Sequence, residues 1–162
     1  MTATAIAIWG AAVTNAGKTD LVVVGVDGSP ASAKAMTWAA HYAQVSGATV
    51  KAVMAWHYPA AAGQAPVGVA PASVTAEVEQ GERAVLDQTV TQAAADHPGV
   101  AIEAELAYGH PSEVLLDQSR AADLLVIGSR GRGGFKGMLL GSVSHQCVTH
   151  AACPVTVVRL TA

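Results

Sequence analysis

The sequence is poor in charged and aromatic residues. Only 13% of its 162 residues are charged and 4% are aromatic, and the formal net charge is −3. Such a chain offers no broad basic surface for nucleic acid or for an anionic membrane. Its apolar runs also stay below the roughly 18 to 20 residues needed to cross a bilayer. Composition therefore argues against nucleic-acid-binding and membrane-spanning proteins.

Cysteine is scarce as well. Cys147 and Cys153 are the only two, too few for a disulfide framework or a metal-ligand set. We interpret them as small buried thiols in a reducing cytoplasm. Residues 3–13 are apolar, but no basic segment precedes them, so we expect no secretory signal. These features favour a cytoplasmic protein.

Hydrophobic residues are abundant, at 51% of the chain, which is enough to bury the core of one domain. Apolar segments typical of strands alternate with helical patterns. We predict strands at 21–27, 48–56, 100–107, 123–129 and 154–160, with helices after each of the first four. This alternation predicts a doubly wound, Rossmann-like α/β fold, a parallel sheet with helices on both faces. Residues 1–19 are expected to form an N-terminal arm and residues 20–162 the domain.

Helix signals are clearest after the first strand. Ser29 is a predicted N-cap, Pro30 suits the first turn, and Gly47 marks the end, so a helix is expected from Pro30 to about Ser46. Its buried face is predicted to carry Ala33, Met36, Ala40 and Ala43.

Two further segments have distinctive patterns. Residues 57–72 are rich in Ala, Pro and Gly without periodicity and are expected to form a loop. In the third strand, Glu103 and Glu105 alternate with apolar residues, which predicts one wet face and a position at the sheet edge.

Residues 12–19, AVTNAGKT, resemble a loose phosphate-binding P-loop. A working P-loop has a strand before it and a helix opening at its Lys-Thr. Here Asp20 and a strand follow instead, so we interpret this stretch as a tether leading into the sheet.

A second glycine-rich segment, GSRGRGGFKGMLLGS, runs from Gly128 to Ser142. Glycines allow backbone N–H groups to turn toward a phosphate, and basic side chains add charge around it. A helix predicted to open at Gly141 favours an anion at its N-terminus. The residues that could contribute are the glycines Gly128, Gly131, Gly133 and Gly134, the cations Arg130, Arg132 and Lys136, and the hydroxyls of Ser142 and Ser144. The alternative is a glycine-rich surface loop ending in an ordinary N-cap.

The spacing Gly128-x2-Gly131-x9-Gly141-Ser142 matches the signature of ATP-binding universal stress proteins. The flanking segments VVVGVDGS, YGHPSEVLLDQSRAADLLVIGSRGRGG and GMLLGSVSHQCVTHAACPVTVV are similar to this family too, so the resemblance covers about residues 21–160. It implies a five-stranded parallel sheet in the order 3-2-1-4-5, with ATP lying over the first and fourth strands.

By position, the resemblance implies a role for each of several residues. Asp27 would lie near the ribose and phosphates and help to hold Mg²⁺; the alternative is that Asp27 only caps a turn. Gly25 would permit close approach, and the backbone of Ala55 would recognise adenine. The triphosphate and ribose would be lined by Gly128, Arg130, Gly131, Gly133, Gly134, Gly141, Ser142 and Val143. The resemblance also implies a homodimer that pairs through the last strand, residues 154–159.

Three alternatives stay open. The chain could be a regulatory ATP-binding protein, a slow ATPase or small-molecule enzyme on the same fold, or a binder of another adenine nucleotide such as AMP or cAMP. No Gly-x-Ser-x-Gly nucleophile motif and no positioned general base is recognisable, so we expect at most slow hydrolysis. The six histidines show no zinc-like spacing, although His110 follows the third strand and a ligand contact there is conceivable.

Overall fold

The computed structural model describes residues 20–57, 72–133 and 139–160, in which strands and helices alternate. The strands are β1 (Leu21–Gly25), β2 (Thr49–Trp56), β3 (Ile102–Tyr108), β4 (Leu124–Gly128) and β5 (Val155–Val158). The helices are α1 (Pro30–Ser46), α2 (Ala72–Asp96), α3 (Pro111–Gln118) and α4 (Ser142–His150). Each predicted strand is present and its observed limits differ from the prediction only at the ends.

The strands form one parallel sheet in the order β3-β2-β1-β4-β5. This confirms the predicted fold and strand order, with β3 and β5 at the two edges. The chain moves outward from β1 to β3 and then returns to place β4 on the other side of β1. Since the direction of winding reverses there, a crevice opens between the carboxyl ends of β1 and β4.

The central strands β1, β2 and β4 are buried on both faces, and successive residues of each strand point to opposite sides of the sheet. Val22 and Val24 belong to the cluster on the α1 and α2 side, together with Met36, Met54 and Leu86. Val23 belongs to the cluster on the α3 and α4 side, whose other members include Leu115, Leu125, Ile127 and Cys147. The continuous β-branched run of β1 is therefore explained by burial on both faces.

The caps of α1 act as predicted. The Ser29 hydroxyl accepts a hydrogen bond from the N–H of Ser32 at 3.2 Å, and Gly47 closes the helix with φ of 78°. One prediction for this helix is wrong, because Ala33 is exposed whereas Met36, Ala40 and Ala43 are buried. The buried stripe is centred near Ala39, and Ala33 lies about 120° around the helix from that residue.

Several sequence predictions lie outside the described residues. They include the N-terminal arm with AVTNAGKT and nearly all of the predicted loop at 57–72. Across the helices that the structure does describe, none combines the length and apolar character needed to cross a bilayer. Cys147 is buried, and burial raises the pKa of its thiol to about 11, so the thiol stays protonated at neutral pH.

Candidate functional site

A cavity of about 590 Å³ opens at the carboxyl edge of the sheet, where β1 and β4 lie side by side. The ends of three strands contribute to it through Gly25, Ala55 and Gly128, and the first turn of α4 closes another side. This is the edge at which open α/β sheets bind ligands. A cavity of this size suits a small molecule such as a nucleotide.

Every predicted nucleotide-binding residue that the structure describes lines this cavity. These residues are Gly25, Asp27, Ala55, Gly128, Arg130, Gly131, Arg132, Gly133, Gly141, Ser142, Val143 and Ser144. Gly134 and Lys136 lie outside the described residues.

Asp27 joins the turn after β1 to the glycine-rich segment. Its Oδ1 accepts a hydrogen bond from the N–H of Ser29 at 3.0 Å, and its Oδ2 accepts one from the N–H of Arg132 at 3.0 Å. Burial would raise the pKa of Asp27, but hydrogen bonds from Ser29, Ser32 and Arg132 outweigh it and hold the pKa below its usual value. The cavity therefore contains an ionised carboxylate at neutral pH.

Two glycines of the segment, Gly128 and Gly131, are required for space rather than for unusual backbone angles. Positive φ occurs in the described chain at Gly28, Gly47, Gly99 and Gly109, all outside the segment that follows β4. A Cβ on Gly131 would collide with Oδ2 of Asp27, and one on Gly128 would lie 2.8 Å from the carbonyl carbon of Ala31. The expectation that glycine serves here through special backbone angles is therefore wrong at Gly128, Gly131, Gly133 and Gly141. Close packing explains the first two, whereas a Cβ on either of the others would meet no close contact.

The N-terminus of α4 faces the cavity. Gly141 is its N-cap and has no side chain to satisfy the first amides, and Ser142 is exposed beside it. These amides and the helix dipole favour an anion. Ser144 acts differently, because it is buried and its hydroxyl donates to the carbonyl oxygen of Gly128 at 2.7 Å. Ser144 thus ties α4 to the end of β4.

The two arginines of the segment have different surroundings. The Arg132 guanidinium donates to both carboxylate oxygens of Glu82, through Nη1 at 2.6 Å and Nη2 at 2.5 Å, and its Nε donates to the carbonyl oxygen of Asp27. The hydrogen bond with Glu82 raises the pKa of Arg132 further. Arg130 lines the cavity and lies between strand β4 and the loop glycines.

The histidines do not assemble a metal centre. Within the described ranges, no group of three or more His, Cys, Asp or Glu side chains is arranged to hold a metal ion. His110 is the N-cap of α3, its Nδ1 lies 2.9 Å from the Ser112 hydroxyl, and its ring lies 5.8 Å from that of His57. Its neighbour Pro111 lines the cavity.

Several lining residues were missed by sequence reasoning. An apolar wall comes from Val53, Pro111, Leu115, Ile127 and Leu140, and polar groups come from Ser32, His145 and Gln146. Most are ordinary core or helix residues whose position at the cavity depends on how the helices pack. Ser32 alone had a local signal, since it follows the Asp27-Gly28-Ser29 turn by one helical turn.

Comparison with known proteins identifies the family. The sequence profile described as the universal stress protein family matches residues 19–159. A universal stress protein of Mycolicibacterium smegmatis is 37% identical over 140 residues, which are 85% of this chain and 45% of that protein. The chain thus spans about half the length of the curated relatives it matches.

Solved structures agree with this match. The universal stress protein UspA from Lactobacillus plantarum superposes with a TM-score of 0.73 at 27% identity, over 88% of this chain and 99% of that one. A universal stress protein in complex with cAMP gives a TM-score of 0.66 at 27% identity, over 88% of this chain and 98% of that one. By sequence and by fold, this chain belongs to the universal stress protein family.

Proposed function

We propose that this universal stress protein is cytoplasmic, binds ATP with Mg²⁺ in the cavity between β1 and β4, and acts as a nucleotide-dependent regulatory protein of the stress response. The observation that carries the proposal is the convergence of complementary groups on one cavity. The glycine-rich backbone, Arg130 and the first amides of α4 offer an anion-binding side. The ionised Asp27 faces the same space.

The base would occupy the apolar side of the cavity. Ala55 at the end of β2 offers backbone groups there, and Val53, Pro111 and Leu115 supply apolar contacts. An apolar wall with a few polar groups is the usual composition of a small-molecule site. In the proposed complex, an adenine ring would lie toward β2 and a phosphate tail toward α4.

Asp27 fits the requirements of Mg²⁺ bound together with a nucleotide. Mg²⁺ is commonly held by one or two carboxylates, the substrate phosphates and water. Each carboxylate oxygen of Asp27 accepts a backbone N–H hydrogen bond, and an ionised carboxylate oxygen can accept more than one partner. When bound, Mg²⁺ would neutralise phosphate charge, while Ser29 and the Arg132 amide hold the carboxylate in place.

Hydrolysis is expected to be slow. Asp27 and His145 are the titratable groups other than arginine that the described chain brings to the cavity. A carboxylate whose pKa is lowered is a weak general base at neutral pH. We therefore expect turnover well below about 1 s⁻¹, the low end of ordinary enzymes.

A second candidate ligand is another adenine nucleotide such as AMP or cAMP. The specific observation in its favour is that one relative of similar fold was solved in complex with cAMP. The anion-binding side of the cavity, with its glycine-rich backbone, Arg130 and a helix N-terminus, favours the longer phosphate tail of ATP.

The binding test compares ligands and variants that add a negative charge to the site. Nucleotide released from the purified protein is identified by native mass spectrometry, and ATP, AMP and cAMP are titrated by calorimetry with Mg²⁺ present. We expect ATP to bind most tightly. Gly141→Asp and Ser142→Asp should each abolish that binding by placing a negative charge against the phosphates.

Gly141→Asp is a sharp test because the fold should accept it. Gly141 has φ of −75°, a Cβ there would meet nothing closer than 3.6 Å, and aspartate is a good N-cap. Thr91→Asp, on the exposed side of α2, adds the same charge away from the cavity and is the control. If ATP affinity survives Gly141→Asp and Ser142→Asp, the phosphates lie elsewhere, and if no adenine nucleotide binds the wild type, the proposal is wrong.

A further inference from the structure

Glu82, in the middle of α2, forms a two-pronged ion pair with Arg132 of the glycine-rich segment. The carboxylate and guanidinium meet through Nη1–Oε1 at 2.6 Å and Nη2–Oε2 at 2.5 Å. The side chain of Glu82 is 19% exposed and that of Arg132 is 49% exposed. Paired donors of this geometry are the ones with which arginine also holds a phosphate group.

The backbone after β1 makes room for this contact. Gly28 has φ of 77°, and a Cβ there would lie 2.9 Å from Cγ1 of Val85 and 3.4 Å from Nη2 of Arg132. The Arg132 side chain therefore passes across a glycine to reach α2, while its Nε donates to the carbonyl oxygen of Asp27. The Arg132 guanidinium thus donates to Asp27 and Glu82. Its neighbours in the sequence, Gly131 and Gly133, line the cavity, so Arg132 lies beside the proposed phosphate site.

We propose that Glu82 is a specificity-determining residue that competes with the phosphate tail of a nucleotide for Arg132; this inference rests on the proposed function. The carboxylate takes the place that two phosphate oxygens would otherwise occupy on the guanidinium. Binding of a triphosphate through Arg132 then requires the Arg132–Glu82 pair to open. A ligand with a single phosphate has less to gain from that opening, so Glu82 sets how strongly the site prefers ATP over AMP.

The test removes the charge of Glu82 and asks whether the effect passes through Arg132. Calorimetric titrations of ATP, AMP and inorganic tripolyphosphate are made on the wild type, Glu82→Gln, Arg132→Gln and the double variant. We expect Glu82→Gln to raise the affinity for ATP and for tripolyphosphate about two- to fivefold, the range of a partly exposed ion pair. The affinity for AMP should rise less. When Arg132 is already replaced by Gln, adding Glu82→Gln should leave all three affinities unchanged.

Glu79→Gln is the matched control, since it removes one negative charge from the exposed side of the same helix. It should leave every affinity unchanged. The proposal is overturned if Glu82→Gln leaves ATP affinity unchanged or weakens it, or if Glu79→Gln or the Arg132→Gln background gives the same gain.

The probes separate this proposal from the proposed function. Tripolyphosphate binding that depends on Glu82, with no added affinity for ATP, would support the competition and contradict adenine recognition. ATP binding that is indifferent to Glu82 would contradict the competition and leave the nucleotide site standing. If neither probe binds any variant, both proposals fail.

Discussion

Asp27 connects two turns that lie 105 residues apart in the sequence. Each carboxylate oxygen accepts a backbone N–H, and burial of the side chain makes those two hydrogen bonds matter more than they would in water. Ionisation of Asp27 is thus part of the folded structure, independent of any ligand. Asp27 therefore holds the glycine-rich segment in place even in the ligand-free protein.

Asp27→Asn should destabilise the ligand-free protein in a pH-dependent way. Asparagine presents an NH₂ group to one of the two backbone donors, and we expect a loss of about 1–2 kcal/mol in the free energy of unfolding at pH 7. The pKa of the Asp27 carboxyl is near 3.8 in the unfolded chain and lower in the folded protein. The extra free energy of unfolding that ionised Asp27 gives the wild type is therefore fully present above the unfolded pKa. It is lost as the pH falls through the folded pKa.

Urea unfolding of both proteins between pH 7 and pH 3 measures this difference. Asp87→Asn, on the exposed side of α2, removes a carboxylate elsewhere and is the control. A difference between wild type and Asp27→Asn that stays constant down to pH 3 would show that the charge of Asp27 does not support the fold.

At the scale of elements, the site depends on how closely α1 approaches the end of β4. Gly128 lies against the backbone of Ala31 in the first turn of α1, with no room for a Cβ. Gly133 has open space around it. Two glycines of the glycine-rich segment therefore have different physical roles: Gly128, the last residue of β4, is needed for close packing, and Gly133 is not.

Gly128→Ala should cost about 1–3 kcal/mol of stability, because the added methyl group forces α1 away from the sheet. Gly133→Ala is the matched variant and should change stability by less than about 0.5 kcal/mol. Thermal and urea unfolding of the two variants measure the contrast. Equal losses in both would mean that conformational freedom, and not packing against Ala31, requires Gly128.

Sequence reasoning predicts those parts of the fold that have local physical causes. Ser29 and Gly47 terminate α1 because capping chemistry is local, and β1 is recognisable because burial on both faces selects β-branched residues. The exposure of Ala33 was missed because alanine gives no signal of which side of a helix it occupies. Glu82 was missed because its role arises from the position of α2 over the loop, 50 residues before Arg132.

The whole molecule presents β5 as one edge of its sheet. The carbonyl oxygens of Pro154 and Val158 accept hydrogen bonds from Leu125 and Ser129 on the β4 side. Because backbone groups alternate in direction along a strand, Val157 presents its N–H to the open edge. An edge of this kind is a natural place for a second copy of the chain to pair.

We expect the protein to be a homodimer through β5, and Val157→Pro should yield monomers because it removes an outward N–H. Proline is tolerated at such an edge position, so the fold should persist. Val157→Thr keeps the N–H and nearly the same shape and should remain dimeric. Light scattering coupled to size exclusion measures the mass of each. A wild-type monomer, or dimers in all three, would contradict pairing through this edge.

The contact between Asp27 and Arg132 also bears on the order of events in folding. Asp27 follows β1 in the sequence and Arg132 follows β4. The cavity is therefore complete only after β1 and β4 have paired. Contacts of such long sequence separation are slow to form, because the entropy cost of closing the intervening chain must be met first. A ligand that needs both Asp27 and Arg132 then binds the folding transition state weakly. It stabilises the native protein mainly by slowing unfolding. Occupancy would thereby lengthen the lifetime of the folded chain rather than hasten its formation.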